Sequence, residues 1–364
     1  MSWVWVFLGF SLLIVLHEAG HFVAAKATGM RVERFFLFFP PKLVSVRRGE
    51  TEYGIGALPL GGFVKISGMN PEEEMPPEAE GRGYYDQPVW KRIVVIGAGP
   101  AVNILLAFAL VFALAFGESA PSATVGQVEP GTPAAAAHLR HGDRILAVDG
   151  RSFAGMGPEE RIERFGKLIA GHRCPAAQAS QGCRASTPVE LRIERGGQAR
   201  NLSIFPTYDA GLGRTRIGFA YGTRPIHPGV GEAFSLAANR VWSVASGTLT
   251  AFAGIFEPQH RKELSGVVGI SDVAHQVVGI GLRPALGILA LVSLSLGLIN
   301  LFPFLPLDGG HIFWSLVEKV RGEPVPFKVI AGASAVGFVL VAMLIMIGLS
   351  NDIGRLTGEG FHVR

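Results

Sequence analysis

Charged residues are scarce in this sequence. Asp, Glu, Lys and Arg make up 17% of its 364 residues, whereas 49% are hydrophobic. Soluble globular domains carry about 25% charged residues, so this composition excludes an ordinary soluble fold. No stretch rich in Lys and Arg with interleaved aromatic residues accompanies the net charge of +4, which excludes nucleic acid as an expected partner. The sequence therefore predicts an integral membrane protein in contact with lipid.

Cysteine is nearly absent as well. The two cysteines of the sequence, Cys174 and Cys183, lie far from any cluster of histidines, and two cysteines alone make a poor zinc site. Both fall in a long segment that is assigned below to the extracytoplasmic side of the membrane, where disulfides persist. A disulfide between them and a pair of free thiols are therefore both open.

The residues before His17 contain no Lys or Arg. A cleaved signal peptide begins with a positively charged region, so we expect the first apolar stretch to be retained as a membrane span. Four stretches approach the length that crosses ~30 Å of hydrocarbon, namely 3–25, 93–116, 284–306 and 329–349. A weaker stretch, 234–256, has apolar residues at helical spacing and suits a helix lying along the membrane interface.

Basic residues give the orientation. They cluster in the loop after the first span and in the short loop after the third, which predicts that both loops are cytoplasmic. Both chain termini and residues 118–283 then lie on the extracytoplasmic side. In the first loop, residues 43–69 alternate apolar and small residues and predict a β-hairpin or two, whereas the acidic, Pro-rich residues 71–83 predict a solvated linker.

The extracytoplasmic segment contains a predicted compact α+β domain, in which strand-like runs at 124–128, 144–148, 189–194 and 201–205 flank a helical stretch at 158–170. The run VGQVEPGTPA at 125–134, followed by GDRILAVDG at 142–150, resembles a bacterial PDZ domain. The resemblance implies a groove that takes a peptide, or a carboxyl terminus, as an added strand. The alternative, a domain with an empty groove that only obstructs access to the membrane core, stays open.

The predicted fold class is thus a polytopic α-helical membrane protein with four transmembrane helices, a membrane-associated β-hairpin region and an inserted extracytoplasmic PDZ domain. Its predicted parts are a first transmembrane helix (1–27), a cytoplasmic loop with the β-hairpin and the acidic linker (28–90), a second transmembrane helix (91–117), the PDZ domain (122–206), an amphipathic interfacial segment (225–283), a third transmembrane segment (284–310) and a fourth transmembrane helix (328–350).

The chemistry is predicted to lie in the first span, which carries the pattern HEAGH at 17–21. His17 and His21 are four residues apart and therefore lie one turn apart on one helix face, where they can share one Zn²⁺. Zinc lowers the pKa of a water that it binds, and Glu18 is placed to take the proton of that water. Ionisable residues within a membrane span are costly and are functional candidates by default.

A third ligand is expected because catalytic zinc sites have three protein ligands. The end of the third span, NLFPFLPLDGGH at 300–311, holds the other polar group at membrane depth. Pro303 and Pro306 prevent a regular helix there, and we predict that Asp308 completes a His-His-Asp set. The two glycines after Asp308 are expected to let the backbone pass close to the metal or to the first helix. His311 is interpreted as a supporting or helix-start residue and not as a fourth ligand.

These paired motifs resemble the site-2 protease family of intramembrane metalloproteases, in particular its PDZ-bearing bacterial branch of RseP-type enzymes. Further matches are GPAVN at 99–103, LSGVVGI at 264–270 and residues 53–69, which are similar to the membrane-dipping β-hairpin of the family. The resemblance implies that His17, His21 and Asp308 are zinc ligands and that Glu18 is the general base. It also implies a bacterial cytoplasmic (inner) membrane, with the active site toward the cytoplasmic side.

The resemblance further implies regulated intramembrane proteolysis of a single-span protein, such as an anti-sigma-factor-like regulator, usually after another protease has removed its extracytoplasmic part. A helical peptide bond is shielded by its own hydrogen bonds, so we expect the substrate to be bound as an extended strand. The residues predicted to bind it are Gly61, Gly62, Phe63, Val64, Lys65 and Asn300. Asn103 has two open interpretations, a similar contact with the substrate or packing between helices.

Two other functions fit parts of the pattern. One is a membrane metalloprotease whose HEAGH helix faces a cytosolic catalytic domain, but no predicted cytoplasmic stretch is large enough to form one. The other is a noncatalytic membrane scaffold or adaptor that binds peptides through its PDZ domain and holds a structural metal. Glu18 argues against the adaptor, because a structural site gains nothing from a buried carboxylate that is not a ligand.

Overall fold

A computed structural model describes residues 2–70, 74–175, 180–254 and 266–357. The chain forms two compact units, a helical unit of Met1–Ala115 with Gly229–Arg364 and a sheet unit of Phe116–Pro228. In chain order the helices and strands are α1 (Ser2–Ala27), β1 (Val32–Arg48), β2 (Thr51–Ile66), α2 (Val89–Ala115), β3 (Ser119–Val128), α3 (Pro133–Ala136), β4 (Arg144–Val148), β5 (Arg151–Ser152), α4 (Pro158–Ala170), β6 (Val189–Arg195), β7 (Gln198–Ile204), β8 (Thr207–Asp209), β9 (Arg214–Arg216), β10 (Phe219–Pro225), α5 (Val230–Ala253), α6 (Val267–Ile280), α7 (Leu282–Asn300), α8 (Asp308–Arg321) and α9 (Phe327–Thr357).

Among the described helices, α1, α2, α7 and α9 are long and apolar enough to cross a membrane. Their positions agree with the four predicted spans. As the prolines in the third span predicted, the helix is interrupted there: α7 stops at Asn300 and the helix resumes only at Asp308, within the predicted segment 284–310. Proline cannot continue the helical hydrogen-bond ladder, so the residues around Pro303 and Pro306 leave it. The short helix α8 was not predicted as a helix.

The segment predicted to lie along the interface contains two described helices, α5 and α6. The expected helix at 234–256 begins earlier, at Val230, and its last two residues lie outside the described part of the chain. Large apolar side chains on α5 are exposed, including Trp242 at 72% and Phe234 at 57%. The placement of α5 at a membrane interface stays a prediction.

The two strands between α1 and α2 form a doubled hairpin. The first half of β1 is in register with both halves of β2, so that Phe36 faces Gly54 on one side and Phe63 on the other. Strand structure therefore begins at Val32, eleven positions before the predicted start, and Val32 and Phe36 are buried. The prediction missed this part because residues 35–39 are all apolar or aromatic and lack an alternating pattern.

The turn between β1 and β2 is held by ion pairs of Glu50. Its carboxylate accepts two hydrogen bonds from the Arg82 guanidinium, at 2.9 and 3.1 Å, and another from Lys26 at the end of α1. These hydrogen bonds, led by those from Arg82, lower the pKa of Glu50 to about 2. The hairpin is thereby tied to the helix that carries the HEAGH pattern.

Small residues bring the membrane helices close together. A Cβ atom at Gly20 of α1 would lie 2.6 Å from the carbonyl oxygen of Ala98 in α2, and one at Gly297 of α7 would lie 2.9 Å from the carbonyl oxygen of Pro100. Helices in lipid associate through such close backbone contacts, because lipid tails are as apolar as the side chains. Helix α2 is therefore packed between α1 and α7.

Helix α8 is fastened to α2 by a buried ion pair. The Arg92 guanidinium donates hydrogen bonds of 2.9 and 2.6 Å to the two carboxylate oxygens of Glu318, and its side chain is only 3% exposed. The rings of Tyr84 and Tyr85 lie 5.9 and 5.3 Å from the guanidinium carbon, within the range of a cation–π contact. Because Asp308 is the first residue of α8, this pair helps to fix its position.

The sheet unit is an antiparallel sheet with one long helix. Its strand order is β10-β3-β4-β6-β7, with β5 paired to β4 and a separate pair β8-β9. The apolar core includes Ile145, Val148 and Leu191 from the sheet and Phe165 and Ile169 from α4. The predicted runs 144–148 and 158–170 coincide with β4 and α4.

The sheet unit is larger than the domain predicted at 122–206. Strand β10 pairs with β3, with Phe219 opposite Val128, so the sheet needs residues after 206 for its last strand. Local sequence patterns did not reveal this pairing, because the two strands are far apart in the chain. Cys174 and Cys183 are joined by a disulfide, which settles the two options left open by the sequence.

Candidate metal centre

The two histidines of HEAGH point to one place from the same face of α1. Their Nε2 atoms are 3.3 Å apart, and both residues are 7% exposed. The distance follows from the helix itself, because residues four apart lie one turn above one another. The prediction that His17 and His21 share a face is confirmed by this geometry.

Asp308 brings the third polar group from the other end of the chain. Its Oδ2 atom lies 3.2 Å from His17 Nε2 and 3.4 Å from His21 Nε2. It is the first residue of α8 and follows the proline-containing loop after α7. Among the described residues, these three form a group whose ligand atoms all lie within 4.8 Å of one another.

The two glycines after Asp308 lie against the loop that precedes α8. A Cβ atom at Gly309 would lie 2.2 Å from the carbonyl oxygen of Leu301, and one at Gly310 would lie 2.4 Å from the backbone nitrogen of Leu305. They therefore let the start of α8 pack against the backbone of the preceding loop. The expectation that they also let the backbone pass close to the metal or to the first helix stays a prediction.

The three ligand atoms fit a zinc-type cation. With bonds of 2.0–2.1 Å to nitrogen and oxygen, the ligand atoms of a tetrahedral site are separated by about 3.3 Å. The observed separations of 3.2–3.4 Å match that value. In addition, Asp308 Oδ2 is buried and has no hydrogen-bond partner among the described residues, so a cation would satisfy it. Three protein ligands leave the fourth position that catalytic zinc sites keep open.

Helix α2 contacts the Nδ1 atoms of both imidazoles. His21 Nδ1 lies 2.9 Å from the carbonyl oxygen of Val95, to which it donates a hydrogen bond, and this leaves Nε2 free to bind a metal. His17 Nδ1 lies 3.2 Å from the side-chain amide of Asn103, which is fully buried. Of the two interpretations of Asn103, packing between helices is confirmed, because its amide meets His17 of α1 and its backbone carbonyl accepts a hydrogen bond from Ser293 of α7. A contact with the substrate stays a prediction. The sequence held no signal that it would meet His17.

Glu18 lies beside the second half of β2. A Cβ atom at Gly62 would be 2.8 Å from Glu18 Cγ, and the backbone N–H of Val64 hydrogen-bonds to the Glu18 carboxylate. Glu18 is not in the three-residue group, so its carboxylate remains available as a base.

The other predicted substrate-binding residues have different neighbours. Gly61 lies against the Phe39 ring, Phe63 stacks on Phe36, and Lys65 forms a 3.0 Å ion pair with Glu33. Asn300 is the last residue of α7 and is half-buried. Among the predicted residues of the hairpin, Gly62 and Val64 thus come closest to Glu18.

The site has three donor residues and an open fourth position, as catalytic metal sites do, and it lies among helices long enough to span a membrane. These features define the protein as a membrane-embedded metal-dependent enzyme. The model of peptidase family M50 matches residues 5–344. A putative zinc metalloprotease of Clostridium perfringens is 30% identical over 354 residues, which cover 96% of this chain and 98% of the relative. Zinc metalloprotease Rip1 of Mycobacterium tuberculosis is 31% identical over 394 residues, which cover 93% and 94% of the two chains. The chain belongs to peptidase family M50, and its resemblance to site-2 proteases is confirmed.

Substitution Gly99→Ala should weaken metal binding. The added methyl group would lie 2.3 Å from His21 Nε2, so the ring has to leave its position. We expect the zinc affinity of the purified chain, measured by competition with a chromophoric chelator, to fall by about tenfold or more, as for loss of groups that orient a ligand.

Gly97→Ala is the matched control, two residues earlier in the same helix. Its methyl group would meet only Ile312 Cδ1 at 3.9 Å, an ordinary contact, so zinc affinity should stay at the wild-type value. Equal affinities in the two variants would contradict the close contact between Gly99 and His21.

Proposed function

We propose that this protein is an intramembrane zinc metalloprotease that hydrolyses a peptide bond within the membrane span of a single-span protein. His17, His21 and Asp308 are the zinc ligands, and Glu18 is the general base. The observation that carries the proposal is the set of three buried donor atoms separated by 3.2–3.4 Å, with a carboxylate beside it that is outside the set. The relatives named zinc metalloproteases support the choice of metal.

Each residue has a separate task in this mechanism. When bound, zinc would lower the pKa of a water molecule and polarise a carbonyl group. His17, His21 and Asp308 hold the cation at the depth of the apolar helices. Glu18 takes a proton from the attacking water at its carboxylate and later delivers it to the nitrogen of the leaving amine.

Substitution Glu18→Gln tests the proposal, because it removes the base and keeps the shape of the side chain. Zinc content should stay unchanged, while cleavage of a tagged single-span protein should fall by about 100-fold or more. Glu80→Gln, an exposed carboxylate of the same unit, is the control and should cleave normally. Full activity of the Glu18 variant would support the noncatalytic adaptor instead.

The substrate segment is bound as an added strand at Gly61–Lys65 of β2. This half of β2 pairs with β1 on one side, and no other described strand pairs with it. The backbone N–H of Val64 is directed toward Glu18, and residues two apart in a strand direct their backbone groups to the same side. Gly62 therefore faces the same way. Asn300 hydrogen-bonds to the backbone of the extended segment.

The substrate class follows from the resemblance to site-2 proteases. It is a single-span regulator, such as an anti-sigma-factor-like protein, that is cut after another protease has shortened its extracytoplasmic part. A fragment-size readout on full-length and pre-shortened forms of one such protein checks this, because only the shortened form should be cut.

Two glycine substitutions test whether the substrate binds along this edge of β2. In Gly62→Ala the new methyl group would lie 2.8 Å from Glu18 Cγ and 3.0 Å from the Phe36 carbonyl oxygen, so it narrows the space between strand and base. We expect reduced turnover with unchanged zinc content. In the control Gly287→Ala, in α7 and outside the binding strand, the methyl group meets no described atom within 4 Å, and turnover should be retained. Equal turnover in both variants would exclude a substrate path along this edge.

The sheet unit is a PDZ domain on the extracytoplasmic side of the bacterial inner membrane, with the metal centre toward the cytoplasm. A groove of about 490 Å³ lies between α4 and the strands β9 and β10, and β10 is at the end of the strand order. Apolar residues line it, among them Phe165, Ile169, Ile217 and Phe219. Such a groove suits strand addition of a carboxyl terminus.

A fluorescent peptide with an apolar carboxyl terminus tests both the groove and the side of the membrane. It should bind the purified full chain, and its amidated form should bind more weakly because the terminal carboxylate is lost. The same peptide added to intact spheroplasts should bind if the sheet unit is extracytoplasmic. Equal binding of acid and amide would contradict carboxyl-terminal recognition, and binding confined to lysed cells would contradict the orientation.

A further inference from the structure

The side-chain amide of Asn103 contacts His17 through only one of its two polar atoms. The residue lies within α2 and is fully buried, and its Nδ2 atom is 3.2 Å from His17 Nδ1. Its Oδ1 atom is buried as well and has no hydrogen-bond partner among the described residues. A buried polar atom without a partner is costly, so the arrangement needs a physical explanation.

Metal binding by His17 determines which end of the amide must face it. A neutral imidazole that offers Nε2 to a metal carries its proton on Nδ1. That N–H would point at the amide NH₂ group, which is also a donor. Rotation of the amide by 180° exchanges oxygen and nitrogen without changing the outline of the side chain. The oxygen then accepts the proton of His17 Nδ1.

We propose that Asn103 is a positioning residue of the metal centre, whose amide oxygen accepts a hydrogen bond from His17 Nδ1–H and so keeps Nε2 as the metal-binding atom. The inference rests on the proposed role of His17 as a zinc ligand. His21 is held in the equivalent way by the backbone carbonyl of Val95, at 2.9 Å. Helix α2 thus orients both imidazoles, one through its backbone and the other through a side chain.

The position of Asn103 is itself fixed from a third helix. The Ser293 hydroxyl of α7 donates a 2.8 Å hydrogen bond to the backbone carbonyl of Asn103. A Cβ atom at Gly297, one turn further along α7, would lie 3.3 Å from Asn103 Cβ. The backbone of Asn103 is therefore held by packing that does not involve His17, so the side-chain contact and the helix contact can be disrupted separately.

Three variants of the full chain separate these contacts. Asn103→Leu keeps the branched outline of the side chain and removes the acceptor, Asn103→Asp keeps an acceptor and removes the amide donor, and Ser293→Ala removes only the hydrogen bond between helices. For each, zinc affinity is measured by chelator competition in detergent, and the melting temperature is measured without metal. His17→Ala and wild type are measured in parallel.

Groups that orient a metal-bound histidine typically contribute 10–100-fold to metal affinity, so Asn103→Leu should bind zinc about 10–100-fold more weakly than wild type. Its melting temperature without metal should resemble that of Ser293→Ala. Asn103→Asp should keep near wild-type affinity, because a carboxylate behind a histidine ligand also accepts this proton. Ser293→Ala should keep wild-type zinc affinity. A purely structural role of Asn103 would instead give Ser293→Ala and Asn103→Leu the same zinc affinity.

Wild-type affinity in Asn103→Leu would overturn the inference, and so would an equal loss in the Asp and Leu variants. If Asn103→Leu does not fold, the Asp variant decides: retained affinity supports the inference, and a fall of about tenfold or more overturns it. Failure of the metal centre itself looks different, since wild type would then bind no zinc or His17→Ala would bind as tightly as wild type. That result would overturn the proposed function and this inference together.

Discussion

The structure depends on the cost of placing two imidazoles and two carboxylates among apolar helices. Polar groups at membrane depth are rare and face one another, and the donor atoms of His17, His21 and Asp308 lie 3.2–3.4 Å apart. Even then, one oxygen of Asp308 has no hydrogen-bond partner among the described residues. A cation at this point would remove that cost, so the same interaction explains both the fold around the cluster and its chemistry.

Close backbone contacts give the cluster its geometry. Gly20 lets α1 touch α2, and Gly309 lets α8 fold back on the loop that precedes it. The buried pair of Arg92 and Glu318 then holds α8 against α2. Because α2 also supports the two histidine rings through Val95 and Asn103, this one helix sets the position of all three proposed ligands. The geometry of the site is thus determined by helix packing and not by flexible loops.

Local patterns were sufficient to predict the parts of the molecule whose partners are close in sequence. The spacing of His17 and His21 follows from one helical turn, and the four apolar spans follow from length and composition. The prolines near Asp308 indicated a break in the third span, which the structure contains. The contact of Asn103 with His17 and the pairing of β10 with β3 could not be predicted, because each joins distant segments whose own sequences carry no trace of the partner.

The distance in sequence between the proposed ligands has a consequence for biosynthesis. Helix α1 is synthesised before α8, and it brings His17, Glu18 and His21 with it. Asp308 is synthesised only after all the residues from β1 to α7. During that interval the polar residues of α1 have no carboxylate partner from α8, so a nascent chain would have to shelter them from lipid in some other way, and it would have no complete site with which to cut its neighbours.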